Sequence, residues 1–433
     1  MHYLSTRESS PTVSIGEAIR NGAAPDGGLY VPERMPAADV GALRGIAELA
    51  EFAPRFLTPF FSGDPLAMDL QTICREAFDF PVPLVTPDAS RPKLRALELF
   101  HGPTGAFKDF GARFLMACFD RLGDPARPLT VLVATSGDTG GAVGCAAEGR
   151  EAVRAGILFP RGRVSPFQEL QLTCWNEPVH AFEVEGDFDD CQRMVKAAFA
   201  DQALSADLRL TSANSINIGR LLPQAAYLAF AALRVFTETG KAPGLLIPTG
   251  NLGHGFAALY ARNMGFPVGP IVAATNANKT LIEWHRSGAY EPRPSVATIA
   301  NAMDVGAPSN FERLINMPEA AREVDVHMVD DSAIRERIKI DHQRSGYVWD
   351  PHSATAAEAY ARMSEGQRGD RTWIVCATAH PYKFADVVEP VIGARIDPPP
   401  ALAAMLGRTA HKDRIAPALS ALAQQLRDVF AAA

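Results

Sequence analysis

One unit recurs along the middle and C-terminal half of this chain: a short apolar run, a loop rich in glycine and hydroxyl residues, then a helix. Leu129-Thr-Val-Leu-Val-Ala134 leads through Thr-Ser-Gly-Asp-Thr-Gly-Gly to a small-residue helix at Ala142 to Glu148. Gly244-Leu-Leu-Ile-Pro248 leads through Thr-Gly-Asn-Leu-Gly-His to a helix at Gly255 to Met264. Ile271-Val-Ala-Ala-Thr275 precedes a polar loop, and Trp373-Ile-Val-Cys-Ala377 runs through Thr-Ala-His-Pro to a helix at Tyr382 to Ile392. Strands this short and this continuously apolar are covered on both faces, and strands alternating with helices pair in parallel. The expected fold class is α/β, with open, mostly parallel sheets covered by helices. Ligands of such sheets sit at the carboxyl ends of the strands, where these loops lie.

Thr249-Gly-Asn-Leu-Gly-His254 opens a helix directly after a strand. Its glycines permit backbone conformations in which successive N–H groups converge, and the helix start adds partial positive charge, which together make a phosphate cradle. No Gly-Lys-Ser/Thr follows and GxGxxG spacing is absent, so neither a Walker loop nor a dinucleotide fingerprint is present. Thr135-Ser-Gly-Asp-Thr-Gly-Gly141 is a second loop of this kind, suited to a carboxylate, although the same residue types also serve as helix caps. Thr378 stands just past the end of a buried strand.

Lys108 lies in His101-Gly-Pro-Thr-Gly-Ala-Phe-Lys-Asp-Phe110, among glycines, a proline and phenylalanines. An ammonium cannot attack a carbonyl, and apolar surroundings disfavour the charged form, which frees the amine for a Schiff base. A lysine in such a setting is otherwise a snorkelling surface residue. Composition narrows the field. The chain of 433 residues is long enough for more than one domain, and its 47% apolar and 21% charged residues describe a globular protein. A net charge of −7 with both signs scattered offers no footprint for nucleic acid and no polybasic membrane anchor. No apolar run spans a bilayer, and the opening Met-His-Tyr-Leu-Ser-Thr-Arg has neither a basic n-region nor an apolar h-region. The six cysteines and ten histidines show no metal-ligand spacing, so the expectation is a cytoplasmic protein with free thiols and no metal.

Taken in order, these motifs resemble the threonine synthase family, in its longer microbial and fungal branch. The resemblance runs from Tyr3-x-Ser-Thr-Arg7 and Ala24-Pro-Asp-Gly-Gly-Leu-Tyr-Val-Pro32, through the Lys108 segment, Thr-Ser-Gly-Asp-Thr-Gly and Arg161-Gly-Arg-Val-Ser-Pro, to Gly186-Asp-Phe-Asp-Asp-Cys191. It continues through Ser212-Ala-Asn-Ser-Ile-Asn217, Pro-Thr-Gly-Asn-Leu-Gly, Asn301-Ala-Met-Asp-Val305, Asp350-Pro-His352 and Thr-Ala-His-Pro-x-Lys-Phe384. It implies a tryptophan synthase β-like fold with two such sheets and an additional N-terminal subdomain. We expect residues 1–90 to form that subdomain, 91–240 the lysine-bearing and substrate-loop domain, and 241–433 the cofactor-phosphate domain with a C-terminal helix.

The resemblance also implies the cofactor pyridoxal 5'-phosphate, the substrate O-phospho-L-homoserine and the product L-threonine. Lys108 would hold the cofactor and move protons; Gly250, Asn251, Leu252, Gly253 and His254 would bind its phosphate, and Thr378 would face its ring nitrogen. Ser136, Gly137, Asp138, Thr139, Asn214, Asn217 and Arg113 would lie toward the substrate, with Arg161, Arg220 and Lys383 as further candidates for its phosphate. The family often has Phe at 252 and Asp or Asn at 254, where this chain has Leu and His; His254 would either donate to the phosphate or point to solvent. Three rivals remain at this stage: a phospho-lyase yielding 2-oxobutyrate, a serine/threonine dehydratase, and a non-catalytic binding protein of the same fold. No partner other than a small-molecule substrate is expected, and the assembly is a monomer or a homodimer.

Overall fold

The computed structural model describes residues 1–135, 137–317, 319 and 322–430. Its strands form two helix-covered sheets and a small N-terminal hairpin-like pair. The larger sheet has the order Val324–Met328, Ile271–Thr275, Gly244–Pro248, Trp373–Ala377, Leu94–Glu98, Leu84–Val85, and every pairing is parallel except the last. The second sheet is parallel throughout, in the order Asp413–Ile415, Val179–Val184, Val153–Pro160, Leu129–Ala134, Leu210–Thr211. The α/β class and the central strands are as expected. Gly244–Pro248, Ile271–Thr275 and Trp373–Ala377 are buried at every position, which is why they read as continuous apolar runs.

The sheets do not follow the expected division at residues 90 and 240. Leu94–Glu98 pairs with Trp373–Ala377, far along the chain, and Asp413–Ile415 pairs with Val179–Val184. The chain lays down two strands of the larger sheet, builds most of the second sheet, returns to complete the larger one, and ends on the second with strand Asp413–Ile415 and helix Leu419–Phe430. That helix packs Leu422, Leu426 and Phe430 against Leu158, Phe182 and Val184. A strand's own residues specify that it is buried, and the crossover path decides which sheet it joins.

Helix Ile218–Thr239 is the spine between the sheets, buried over almost its whole length and capped by Asn217 at its start and by left-handed Gly240 at its end. Helices Leu49–Leu57 and Leu70–Ala77 of the N-terminal segment belong to the same core. Phe52 meets Phe230 and Phe266 at 5.3 and 5.8 Å between centroids, and Phe78 stacks on Phe114 at 6.2 Å. Each buried phenylalanine of this kind contributes about 3–5 kcal/mol against truncation to alanine. The N-terminal segment therefore braces the two elements that position the site, helices Lys108–Leu122 and Ile218–Thr239. No helix among the described residues is long and apolar enough to cross a membrane.

Candidate active site

Lys108 is the first residue of helix Lys108–Leu122, and the turn before it is fixed by a local device. The Asp109 carboxylate accepts from the Thr104 backbone N–H (2.9 Å) and from the Thr104 hydroxyl (2.6 Å). Gly105 takes φ +66°, a conformation that costs glycine least. The turn is then pinned to the end of the larger sheet: Phe107 N donates to Thr378 O (2.8 Å) and His380 N donates to Gly105 O (2.9 Å). Thr378 N in turn donates to Ser353 Oγ (2.9 Å), so both backbone groups of Thr378 are committed and its side chain is held beside the lysine turn.

Asp138, at the start of helix Asp138–Ala147, faces Lys108. Its Oδ2 lies 4.0 Å from Lys108 Nζ, and its Oδ1 lies 3.1 Å from Lys383 Nζ, an ion-pair contact whose alignment falls short of a hydrogen bond. Burial presses the Lys108 amine toward its neutral form; Asp138 opposes this, and the positive charges of Arg220 and Lys383 add to it. For Asp138 burial favours the acid, but Lys383, Lys108 and His352 outweigh it and hold the carboxyl well below the usual range. The site thus contains an amine biased toward the free base beside a carboxylate that stays ionised.

The two glycine-rich loops end as helix starts that the residue just before the helix does not cap. Leu252 precedes helix Gly253–Asn263 and Gly137 precedes helix Asp138–Ala147, and neither supplies a cap. The first N–H groups of a helix have no intrahelical acceptor, so a buried, uncapped start is a ready site for an anion. Gly253 and His254 are buried. The glycines do a different job from the one expected. Neither Gly250 nor Gly253 takes a positive φ; Leu252 does, at +63°. Gly250 is required for space, because a Cβ there would stand 2.7 Å from Met303 Cα. A cradle this tight, ending in unpaired amides, fits a phosphate group. In the other loop Gly137 takes φ +151°, and Thr135 Oγ1 accepts from Gly137 N and Gly140 N, each at 3.1 Å. Thr135 was not among the expected site residues, yet it shapes that loop. Thr139 is half-buried on the first turn of the helix, and Ser136 lies outside the described residues.

Several expected residues have other roles. His254 neither reaches solvent nor meets a donor or acceptor: its ring is buried, stacked on Phe107 (4.9 Å, 15°) with Tyr227 edge-on at 5.5 Å. Burial lowers it to about 3, so it is neutral. Asn217 is a cap. Its Oδ1 accepts from Gly219 N, and its Nδ2 donates to Ile19 O and Ser212 O, all at 2.9 Å. Arg113 points the other way, into the N-terminal segment, where it pairs with Asp79 (2.7 Å), bonds the Glu76 and Ala77 carbonyls and lies over Phe80. Arg161 is half-exposed and faces Glu185 and Glu183. Arg220 is buried, donates to Ala213 O (2.6 Å), and keeps Nε without a partner. Asn214 is half-buried, with its backbone N on Ser212 Oγ (3.3 Å), and Asn251 joins Ser215 Oγ (2.6 Å) to Ser309 N.

A further group supports the cradle from behind. Asp350 caps helix Pro351–Arg362 and accepts from His352 Nδ1 (2.9 Å) and from the Ser353 hydroxyl, while Ala302 N donates to His352 Nε2 (3.1 Å). Those bonds assign the proton of His352 to Nδ1. They tie Thr378, through Ser353, to the segment that carries Met303 against Gly250.

Comparison with known proteins decides the family. Residues 81–378 match the model of pyridoxal-phosphate dependent enzymes, residues 2–78 match the threonine synthase N terminus, and residues 353–426 match the threonine synthase C-terminal region. The chain belongs to the threonine synthase family. It is 37% identical to the threonine synthase of Serratia marcescens over 412 residues, covering 93% of this chain and 94% of that one. Its fold superposes on Escherichia coli threonine synthase with a TM-score of 0.90 at 32% identity, over 99% and 100% of the two chains. The pyridoxal-phosphate-bound threonine synthase of Brucella melitensis gives 0.90 at 35% identity, over 99% of each. Like its family, the chain is a pyridoxal-phosphate-dependent lyase of threonine biosynthesis. Loop 249–254 and Thr378 follow strand ends of the larger sheet, and Asp138 follows strand Leu129–Ala134 of the second.

Proposed function

We propose that this enzyme converts O-phospho-L-homoserine and water to L-threonine and phosphate, with Lys108 as the residue that holds pyridoxal phosphate and moves protons. The observation that carries the reading is the Lys108 amine, biased toward its free base and set 4.0 Å from the ionised Asp138. When bound, pyridoxal phosphate withdraws electrons from the carbon skeleton of an amino acid and makes its protons removable. The protein's part is then to orient, exclude water and transfer protons. The amides of Gly250, Asn251, Leu252, Gly253 and His254 would receive the cofactor phosphate. The Thr378 hydroxyl would face the ring nitrogen; a hydroxyl there, unlike a carboxylate, leaves that nitrogen largely unprotonated. The backbone N–H groups of Asp138 and Thr139 would take the substrate carboxylate, with Gly137 shaping the loop and Asn214 beside it.

Removal of phosphate from Cγ and entry of water at Cβ require protons to leave and return at adjacent carbons. A single amine on a short tether serves all of them without diffusing away. Asp138 orients that amine, and Arg220 adds positive charge near the leaving phosphate. Asn217, Arg113 and Arg161 are left out of this reading, because their side chains are committed elsewhere. We place the enzyme in the cytoplasm, where its substrate is a small phosphorylated amino acid.

The test is a product assay on purified enzyme with O-phosphohomoserine, scoring phosphate, threonine and 2-oxobutyrate together, with Lys108→Ala alongside. Equal phosphate and threonine, lost in the variant, is the expected result. Phosphate with 2-oxobutyrate would make the enzyme a phospho-lyase, and no phosphate from cofactor-loaded enzyme would refute the substrate.

A further inference from the structure

Lys383 enters the site from the turn Pro381–Phe384 with its side chain wholly shielded from solvent. Its ammonium donates to Thr104 O (2.7 Å) and Gln171 Oε1 (2.5 Å) and contacts Asp138 Oδ1 at 3.1 Å. Two hydrogen-bond acceptors and one ion-pair contact, from three segments, surround the ammonium. The orientation of Gln171 is fixed as well, since its Nε2 donates to Thr104 O at 3.0 Å and its oxygen must therefore face Lys383. A fully buried lysine held by two protein acceptors and a carboxylate is committed to protein groups, and we leave it out of the candidate phosphate ligands.

Its position has another consequence. Asp138 is shared between two lysines, one oxygen toward Lys383 and the other toward Lys108. Lys108 must be charged at some stages of turnover and neutral at others. A buried carboxylate whose only cation came and went would be driven to take up the proton itself, because an unpaired buried charge is costly. A second cation that never changes prevents this.

We propose that Lys383 is a positioning residue: a buried cation that keeps Asp138 ionised and aimed at Lys108, so that the proton moves on and off Lys108 alone. The inference rests on the reading of Lys108 as the cofactor lysine. Among the described residues, few other titratable or charged groups face these three. His352 faces Asp138 from helix Pro351–Arg362, and Arg220 faces Lys108 from helix Ile218–Thr239. Asp109, with Arg113 beyond it, faces Lys383 from helix Lys108–Leu122. After burial itself, Arg220 and Lys383 favour the neutral amine and Asp138 opposes them.

The experiment is a pH titration of the holoenzyme, following the absorbance of the cofactor attached to the protein. Lys383→Met removes a like charge and leaves Asp138 to Lys108 alone, so the midpoint rises by about one unit, roughly a tenfold tighter hold on the proton. Gln171→Glu keeps Lys383 and its acceptor while neutralising its charge locally, and moves the midpoint the same way. It carries the test if Lys383→Met does not fold. Asp138→Asn moves the midpoint down. An unmoved midpoint in Lys383→Met and Gln171→Glu, even with weaker cofactor retention, makes Lys383 structural only and overturns the proposal. Borohydride reduction and peptide mass spectrometry locate the attachment. A cofactor attached elsewhere than Lys108 refutes the site and this inference together, whereas attachment at Lys108 with an unmoved midpoint refutes this inference alone.

Discussion

Replacing Gly250 with alanine tests whether the cradle at residues 249–254 depends on close backbone approach. The new Cβ would lie 2.7 Å from Met303 Cα, about 0.7 Å inside ordinary contact, and 3.2 Å from Met303 Cβ. Met303 cannot retreat easily. It ends the short turn Asn301–Met303, whose Ala302 N–H is bonded to His352, and His352 is fixed by Asp350. The loop must move instead, by an amount that spoils the alignment of one or two amides toward a phosphate. A hydrogen bond to a charged group contributes about 1.5–3 kcal/mol, so the loss is about 2–4 kcal/mol. At 1.4 kcal/mol per tenfold, cofactor affinity should fall by roughly 30-fold to 1,000-fold. The assay is absorbance titration of the cofactor-stripped variant with pyridoxal phosphate. Gly253→Ala is the control, since the nearest atom to a Cβ there is a side-chain nitrogen at 3.4 Å and no positive φ is required. Gly250→Ala binding within threefold of wild type, or Gly253→Ala proving the worse of the two, would refute the reasoning.

Burial holds the His254 imidazole neutral down to about pH 3, whereas in the unfolded chain it takes up a proton near pH 6.5. Its contribution to stability is therefore complete above pH 6.5 and declines as pH falls toward 3, by about 1.4 kcal/mol per unit at most. His254→Phe, which keeps the stack on Phe107, should lose less stability than wild type between pH 7 and pH 5 in urea unfolding; equal slopes would refute this. Asn217→Ala removes a cap and leaves the Ile19 and Ser212 carbonyls unpaired, at about 2–4 kcal/mol. Its KM for O-phosphohomoserine should stay within a few-fold of wild type, and a selective rise in KM would return Asn217 to the substrate. Arg113→Met should likewise leave KM unchanged while lowering the melting temperature, because its partners are Asp79, Phe80 and two carbonyls of the N-terminal segment.

What could be read from the sequence was local, and what escaped it depends on parts of the chain far apart. The strands Leu129–Ala134, Gly244–Pro248 and Trp373–Ala377 announce themselves because burial on both faces leaves, apart from Thr130, only apolar positions. The turn before Lys108 was legible because it is built from neighbours, Thr104, Gly105 and Asp109. The loop glycines were recognised as a cradle but misread in detail, since composition points to glycine wherever φ is positive and here Leu252 carries that conformation. Asn217 carried a readable signal: an Asn immediately before a long apolar helix is first of all a cap. Taking it for a substrate ligand gave the motif precedence over the helix start.

The contacts that escaped, those of Gln171 and Lys383, share a property. Each spans more than 60 residues: Gln171 meets Thr104, and Lys383 meets Thr104, Gln171 and Asp138. No periodicity or spacing encodes such a meeting, because it is created by two sheets closing on one another. The same closure explains why the lysine is tuned at all. Phe107 and Thr378 come from the first and last passes of the chain through the larger sheet, and Asp138 comes from the second sheet. The downward pull on the Lys108 amine is therefore a property of the assembled pair of sheets. A mutation that loosens their contact at Thr104, Gln171 or Lys383 should change the ionisation of Lys108 before it changes the fold of either sheet.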